Sequence, residues 1–123
     1  MEYSLSLSDN KDYVVLTGIG DLTTEKSMAI NEEAHIFGKS HGINKFFVDF
    51  TKCRNIDSVI NNYEFAYNDM PNNEIIDKYA VVAVLVDPND NSHNFIEVVT
   101  SNSGLLMKLF RNKEEAIEYL NRF

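Results

Sequence analysis

The chain has 123 residues, 44% hydrophobic and 24% charged, the size and balance of one globular domain with core enough to fold without staples. Its net charge of −8 and pI near 4.7 exclude nonspecific binding to nucleic acid and docking on an anionic membrane surface, since both would repel it. One cysteine, Cys53, excludes an internal disulfide framework and a multi-thiolate metal site, and fits a reducing cytoplasm.

Tyr3, Leu5 and Leu7 alternate with serines, which predicts a half-buried strand and no signal peptide at the start. Asp9 to Asp12 is a turn by composition, and Tyr13 to Thr17 forms the second strand of a hairpin that ends at Gly18-Ile19-Gly20. Thr23 or Thr24 caps the first helix, which carries Ile30, Ala34 and Phe37 at helical spacing and stops at Gly42. The third strand, Asn44 to Phe50, is almost continuously apolar, as in a parallel sheet covered on both faces. A short polar turn follows, Thr51 to Asn55, then a second helix from about Ile56 to Met70.

In that helix Ile56, Val59, Ile60, Tyr63, Tyr67 and Met70 make one stripe, predicted to face the core, with Phe65 off it. Pro71-Asn72-Asn73 breaks it, and Tyr79 to Val86 is the fourth strand, too short to span a bilayer. Ser92 caps a third helix with Phe95, Ile96, Val98 and Val99 inward, ending at Gly104. Leu105 to Phe110 is the fifth strand, and Asn112 with Glu115 caps a last helix burying Ala116, Ile117 and Leu120. Strands alternating with helices predict an α/β fold, a mostly parallel five-stranded sheet with an N-terminal antiparallel hairpin and four helices, in a single domain over residues 1–123. The two apolar runs, Phe46 to Phe50 and Tyr79 to Val86, are expected as adjacent central strands.

Three segments carry a resemblance. Leu16-Thr17-Gly18-Ile19-Gly20-Asp21-Leu22-Thr23 looks like the second strand and turn of the STAS domain, the fold of anti-sigma-factor antagonists. Val48 to Ser58 looks like that family's third strand running into an Asp-Ser at a helix start, and Phe110 to Leu120 like its closing strand and helix. The chain resembles the SpoIIAA-like branch of this family most. The resemblance implies a non-enzymatic regulatory module that binds a protein partner and is phosphorylated at the serine of the Asp-Ser pair, here Ser58. The antagonists carry a glycine soon after that serine; Val59-Ile60-Asn61-Asn62 stands here instead.

The residues themselves give few chemical constellations. Ser58 lies at a helix start, where N–H groups and the helix dipole favour added negative charge, with Lys52 and Arg54 nearby; its plainer role, with Asp57, is to start the helix. Asp87, Asn89 and Asn91 imitate the opening of a calcium loop, but Ser92 replaces its glycine and Val98 its glutamate. His93 reads as a surface residue, and no two histidines have ligand spacing, so no metal and no cofactor are expected. Cys53 lies between two cations that would lower its pKa, yet has no identifiable base; a plain thiol is the reading.

The functional expectation is therefore a cytoplasmic interaction module whose working surface includes Lys52, Arg54, Asp57, Ser58, Phe65, Asp87 and His93. The alternative is a carrier for a small apolar ligand or a nucleotide, which would require a pocket under the second helix. No nucleic acid and no membrane insertion are expected. Phe65, turned outward by the stripe, is expected to anchor a homodimer.

Overall fold

The computed structural model describes residues 1–97 and 106–123. Strand β1 (Glu2–Leu7) pairs antiparallel with β2 (Val14–Leu22), placing Leu5 opposite Leu16. Their turn is held by Ser8, whose Oγ accepts the N–H groups of Asp12 and Tyr13, and by Lys11 in the left-handed region at φ 59°. Strands β3 (Lys45–Asn55), β4 (Val81–Leu85) and β5 (Leu106–Phe110) follow in parallel, giving the order β1-β2-β3-β4-β5. The two most apolar strands, β3 and β4, are adjacent and interior, as their burial on both faces requires.

Alternation along those strands divides the core. Phe46, Val48, Phe50, Val82 and Val84 point to one face, with Ile30 and Ala34 of helix α1 (Thr24–Ser40). Phe47, Val81, Ala83, Leu85 and Phe110 point to the other, covered by Ala116 and Leu120 of the C-terminal helix (Lys113–Leu120). Two of the predicted caps are present: Thr23 accepts the Lys26 N–H and Asn112 the Glu115 N–H, while the Ser92 hydroxyl accepts the Asn55 N–H instead. Helix α1 lies so close to β3 that a Cβ on Gly38 would stand 2.7 Å from the Ile43 carbonyl oxygen and 2.9 Å from the Phe46 ring. The helix ends with Gly42 at φ +68°, the conformation that a terminating glycine supplies.

Several predicted boundaries move; β4 is Val81–Leu85 rather than Tyr79 to Val86, with Tyr79 exposed outside it. Strand β2 does not stop at Thr17; it runs through Gly18 and Gly20 to Leu22, with a bulge between Thr17 and Ile19. Gly20 supplies the φ of +115° that the irregular stretch needs. Strand β3 likewise continues through Thr51 to Asn55, so the supposed polar turn is strand, paired with residues Ile19 to Leu22 of β2. Of the predicted third helix, residues 95–97 are helical, with Phe95 half-buried and Ile96 buried; Val98, Val99, Gly104 and Leu105 lie outside the described residues.

The second helix differs most. Helix α2 (Val59–Glu64) begins three residues later than Ile56 and passes into a π-helical segment, Phe65–Asp69. There the Met70 N–H donates to the Phe65 carbonyl at 2.9 Å, five residues back. The inward face is already set in the regular turns by Asn62, Phe65 and Ala66, and the wider turn brings Met70 onto it. Phe65, Ala66 and Met70 face inward, and Phe65 and Met70 pack with Ile76. The predicted core stripe faces water instead: Ile56 is 54% exposed, Val59 71%, Ile60 77%, Tyr63 40% and Tyr67 44%, against 8% for Phe65. Phe65 is therefore a core residue and cannot anchor a dimer. Of the stripe, only Met70 is buried as expected.

Candidate functional site

The carboxyl ends of β2, β3 and β4 gather most of the candidate residues, as open parallel sheets do. Asp57 is central. One carboxylate oxygen accepts the backbone N–H of Thr24 at 2.8 Å and its hydroxyl at 2.9 Å. The other accepts the Ser58 N–H at 2.8 Å and the Asn61 side-chain amide at 2.7 Å. One carboxylate thus joins the starts of α1 and α2. The Thr24 N–H, then Asn61, Ser58 and the Thr24 hydroxyl, hold its pKa well below the usual carboxylate range.

Ser58 is exposed and caps α2: its Oγ accepts the Asn61 N–H at 3.1 Å. Behind it, Asn55 fixes the loop. Its side chain accepts the Asp57 N–H at 3.0 Å and donates to the buried Asn62 at 2.9 Å, while its own N–H donates to the Ser92 hydroxyl at 3.0 Å. This network explains how a polar Asn62 occupies an inward position of α2. Beyond Ser58 the outward face of α2 presents Val59, Ile60 and the stacked rings of Tyr63 and Tyr67, 5.9 Å apart and nearly parallel at 3°.

Lys52 and Arg54 are exposed. They line an open polar groove with Asp21, Asp87 and Asp90. Asp87 is occupied in part by its own loop, accepting the Asn89 N–H at 2.8 Å. His93 is not on the surface. It is 1% exposed, stacked over Phe50 at 5.8 Å, and its Nε2–H donates to the Cys53 carbonyl at 3.1 Å, with Asp90 at 3.7 Å. The apolar residues around it, which the sequence separates by tens of positions, made it a core residue. Cys53 is also buried, and burial, then the nearby Asp49 carboxylate, push its thiol up to about 11. The expected lowering by neighbouring cations does not occur, because alternation turns Lys52 and Arg54 to the opposite side of the strand.

Under α2 lies an apolar cavity of about 60 Å³, lined by Phe65, Ala66 and Met70 with Val48, Phe50 and Val84. It is smaller than the roughly 150 Å³ apolar cavity that admits a benzene ring, so it favours no lipid or nucleotide carrier. Among the described residues, no group of three or more His, Cys, Asp or Glu is placed to hold a metal, and no helix is long and apolar enough to cross a membrane.

These features define an α/β domain with a STAS-like, SpoIIAA-like fold. Among solved structures, the chain is similar to an uncharacterised DUF3478-family protein with a SpoIIAA-like fold from Shewanella loihica, at 16% identity and TM-score 0.54, covering 97% of this chain and 92% of that one. It is similar to an anti-sigma factor antagonist from Mycobacterium paratuberculosis at 10% identity and TM-score 0.59, covering 98% and 95%. It is also similar to the phosphorylated form of the Bacillus cell fate determinant SpoIIAA, at 19% identity and TM-score 0.52, covering 95% and 97%. At these identities the likeness is one of fold. The chain matches no protein-family model and no curated protein sequence.

Proposed function

We propose that this protein is a non-enzymatic regulatory module whose working surface is the start and outward face of α2, where a protein partner docks. One observation carries the reading: Val59, Ile60, Tyr63 and Tyr67 stand in water on a helix whose packing is already satisfied by Phe65, Ala66 and Met70. A contiguous apolar face of this kind marks an interaction site. The SpoIIAA-like fold supports the reading by analogy, since two of the similar structures are of anti-sigma factor antagonists or SpoIIAA.

Site-specific photo-crosslinking in the native cell tests it. A photoreactive residue at position 60 is expected to yield one discrete protein adduct. The same residue at position 36, an exposed isoleucine of α1, serves as control. Equal adducts from both positions, or none from position 60, would contradict the reading.

Ser58 is the regulatory element of this proposal. A phosphate there adds a charge of about −1.5 to −2 at the edge of the apolar face, beside an Asp57 that stays ionised. Mass spectrometry of protein from its native cell is expected to find that phosphate. Its repeated absence under good peptide coverage would remove the switch and leave the docking face.

A further inference from the structure

The charges around the outward face of α2 carry information about what covers it. From Asn55 to Asp77 the chain has no Lys, Arg or His, yet it has Asp57, Glu64, Asp69, Glu74 and Asp77. Glu64 and Asp69 are exposed, whereas Glu74 and Asp77 line a separate groove with His35 and Lys39, and Lys78 follows them. Glu64 follows Tyr63 on the same turn of α2 as Ile60, and Asp69 lies two residues beyond Tyr67. Asp57 sits at the opposite end, beside Ile56 and Ser58, and its hydrogen bonds keep it charged. The nearest cations before this segment, Lys52 and Arg54, belong to the groove with Asp87, and Arg54 acts on Asp90. On its own segment the apolar face is therefore flanked by Asp57, Glu64 and Asp69 and by no cation.

That acidic flank selects among occupants. A second copy of this chain related by a two-fold axis would set the same acidic flank on both sides of the interface, between bodies of net charge −8 each. An anionic lipid surface would meet the same repulsion. A protein surface with an apolar ridge and Lys or Arg along its sides matches both parts of the face. Building on the docking face proposed above, we infer that the partner presents to α2 an apolar ridge flanked by basic side chains. The apolar residues give the area, and the opposed charges set orientation and association rate.

Three helical peptides test the inference. They share one Leu/Ile face and differ in their flanks, which are Lys/Arg, Gln or Glu. Fluorescence anisotropy measures each against wild type, Ile60→Asp and the double variant Glu64→Lys with Asp69→Lys, at low and physiological salt. The Lys/Arg peptide is expected to bind wild type about tenfold or more tighter than the Gln peptide, a difference that shrinks as salt screens it. The Glu peptide should not bind, and the double variant should reverse the order.

Ile60→Asp separates this from unspecific attraction, because it adds negative charge while removing apolar area. Docking on the face requires it to weaken the Lys/Arg peptide; attraction to the charge of −8 alone would make it bind tighter, and that result overturns the inference. Equal binding of the Lys/Arg and Gln peptides would overturn the basic flank while the docking face survives. Binding of none of the three would overturn both. Light scattering that finds an Ile60-dependent dimer would make a second copy the occupant and overturn the basic partner.

Discussion

Helices α1 and α2 cover the same face of the sheet but are held to it in different ways. Helix α1 enters the main core, with Ile30 and Ala34 against Phe46, Val48 and Phe50, and Gly38 in contact distance of β3. Helix α2 rests on a smaller cluster of Phe65, Met70 and Ile76, with a cavity beneath it, and is fastened at its start by polar groups. Of the large apolar residues on α1, Ile36 is well exposed; α2 and its approach expose Ile56, Val59, Ile60, Tyr63 and Tyr67. The difference teaches that close packing and apolar exposure fall to separate helices. One is fixed by close packing; the other is short, runs into a π turn and leaves its larger apolar face exposed.

Substitutions can break or sharpen that contrast. The largest effect is expected from Phe65→Ala, which removes the principal ring from the cluster under α2 and should cost about 3–5 kcal/mol in urea unfolding. A cost below about 0.5 kcal/mol, the range of surface changes, would mean that the ring faces water after all. Gly38→Ala comes next. Its methyl group has only the Ile43 carbonyl and the Phe46 ring to displace, so a loss of about 1–3 kcal/mol is expected. An unchanged midpoint would show that α1 is not held as closely as described.

A smaller effect should appear with pH. His35 on α1 is buried and stacked on Phe46 at 4.6 Å, and its Nδ1 accepts the Asp77 N–H at 3.1 Å. Burial lowers its pKa from 6.5, against an opposing pull from Asp77, so the folded state prefers the neutral ring. The stability this gives is fully present above about pH 6.5 and is lost as pH falls from there through the folded pKa, because the unfolded chain binds the proton first. Thermal midpoints of wild type should therefore drop across this range more steeply than those of His35→Gln. Parallel curves would refute the assignment. The smallest effect belongs to Ile60→Asp, expected to change stability by no more than about 0.5 kcal/mol, since the side chain is 77% exposed.

How much of this was legible in the sequence follows the same division. Strands β3 and β4 are apolar on both faces, so no choice of face arises, and their central, parallel place follows from pattern alone. Thr23 and Asn112 were legible as caps because their signal is local. Helix α2 offered two apolar faces, and the wheel drawn from Ile56 favoured the one with more large residues. The face that won carries Asn62, Phe65 and Ala66 at ordinary helical spacing, its polar member satisfied by Asn55, and the π turn that adds Met70 to it leaves no mark in the sequence. His93 was misread for a related reason: what buries it, Phe50 and the Cys53 carbonyl, lies some forty residues away. The Asp57 and Ser58 pair was legible as a helix start, but the bonds from Asp57 to Thr24 join segments that no local pattern connects.

The central claim is that α2 buries Phe65 and Met70 and turns Ile60, Tyr63 and Tyr67 outward. Hydroxyl-radical footprinting read by tandem mass spectrometry measures this residue by residue in the intact protein. Rapid labelling of Tyr63 and Tyr67, with Phe65 and the intrinsically reactive Met70 protected until the protein unfolds, is the predicted result. Fast oxidation of Phe65 and Met70 with protection of the two tyrosines would contradict it.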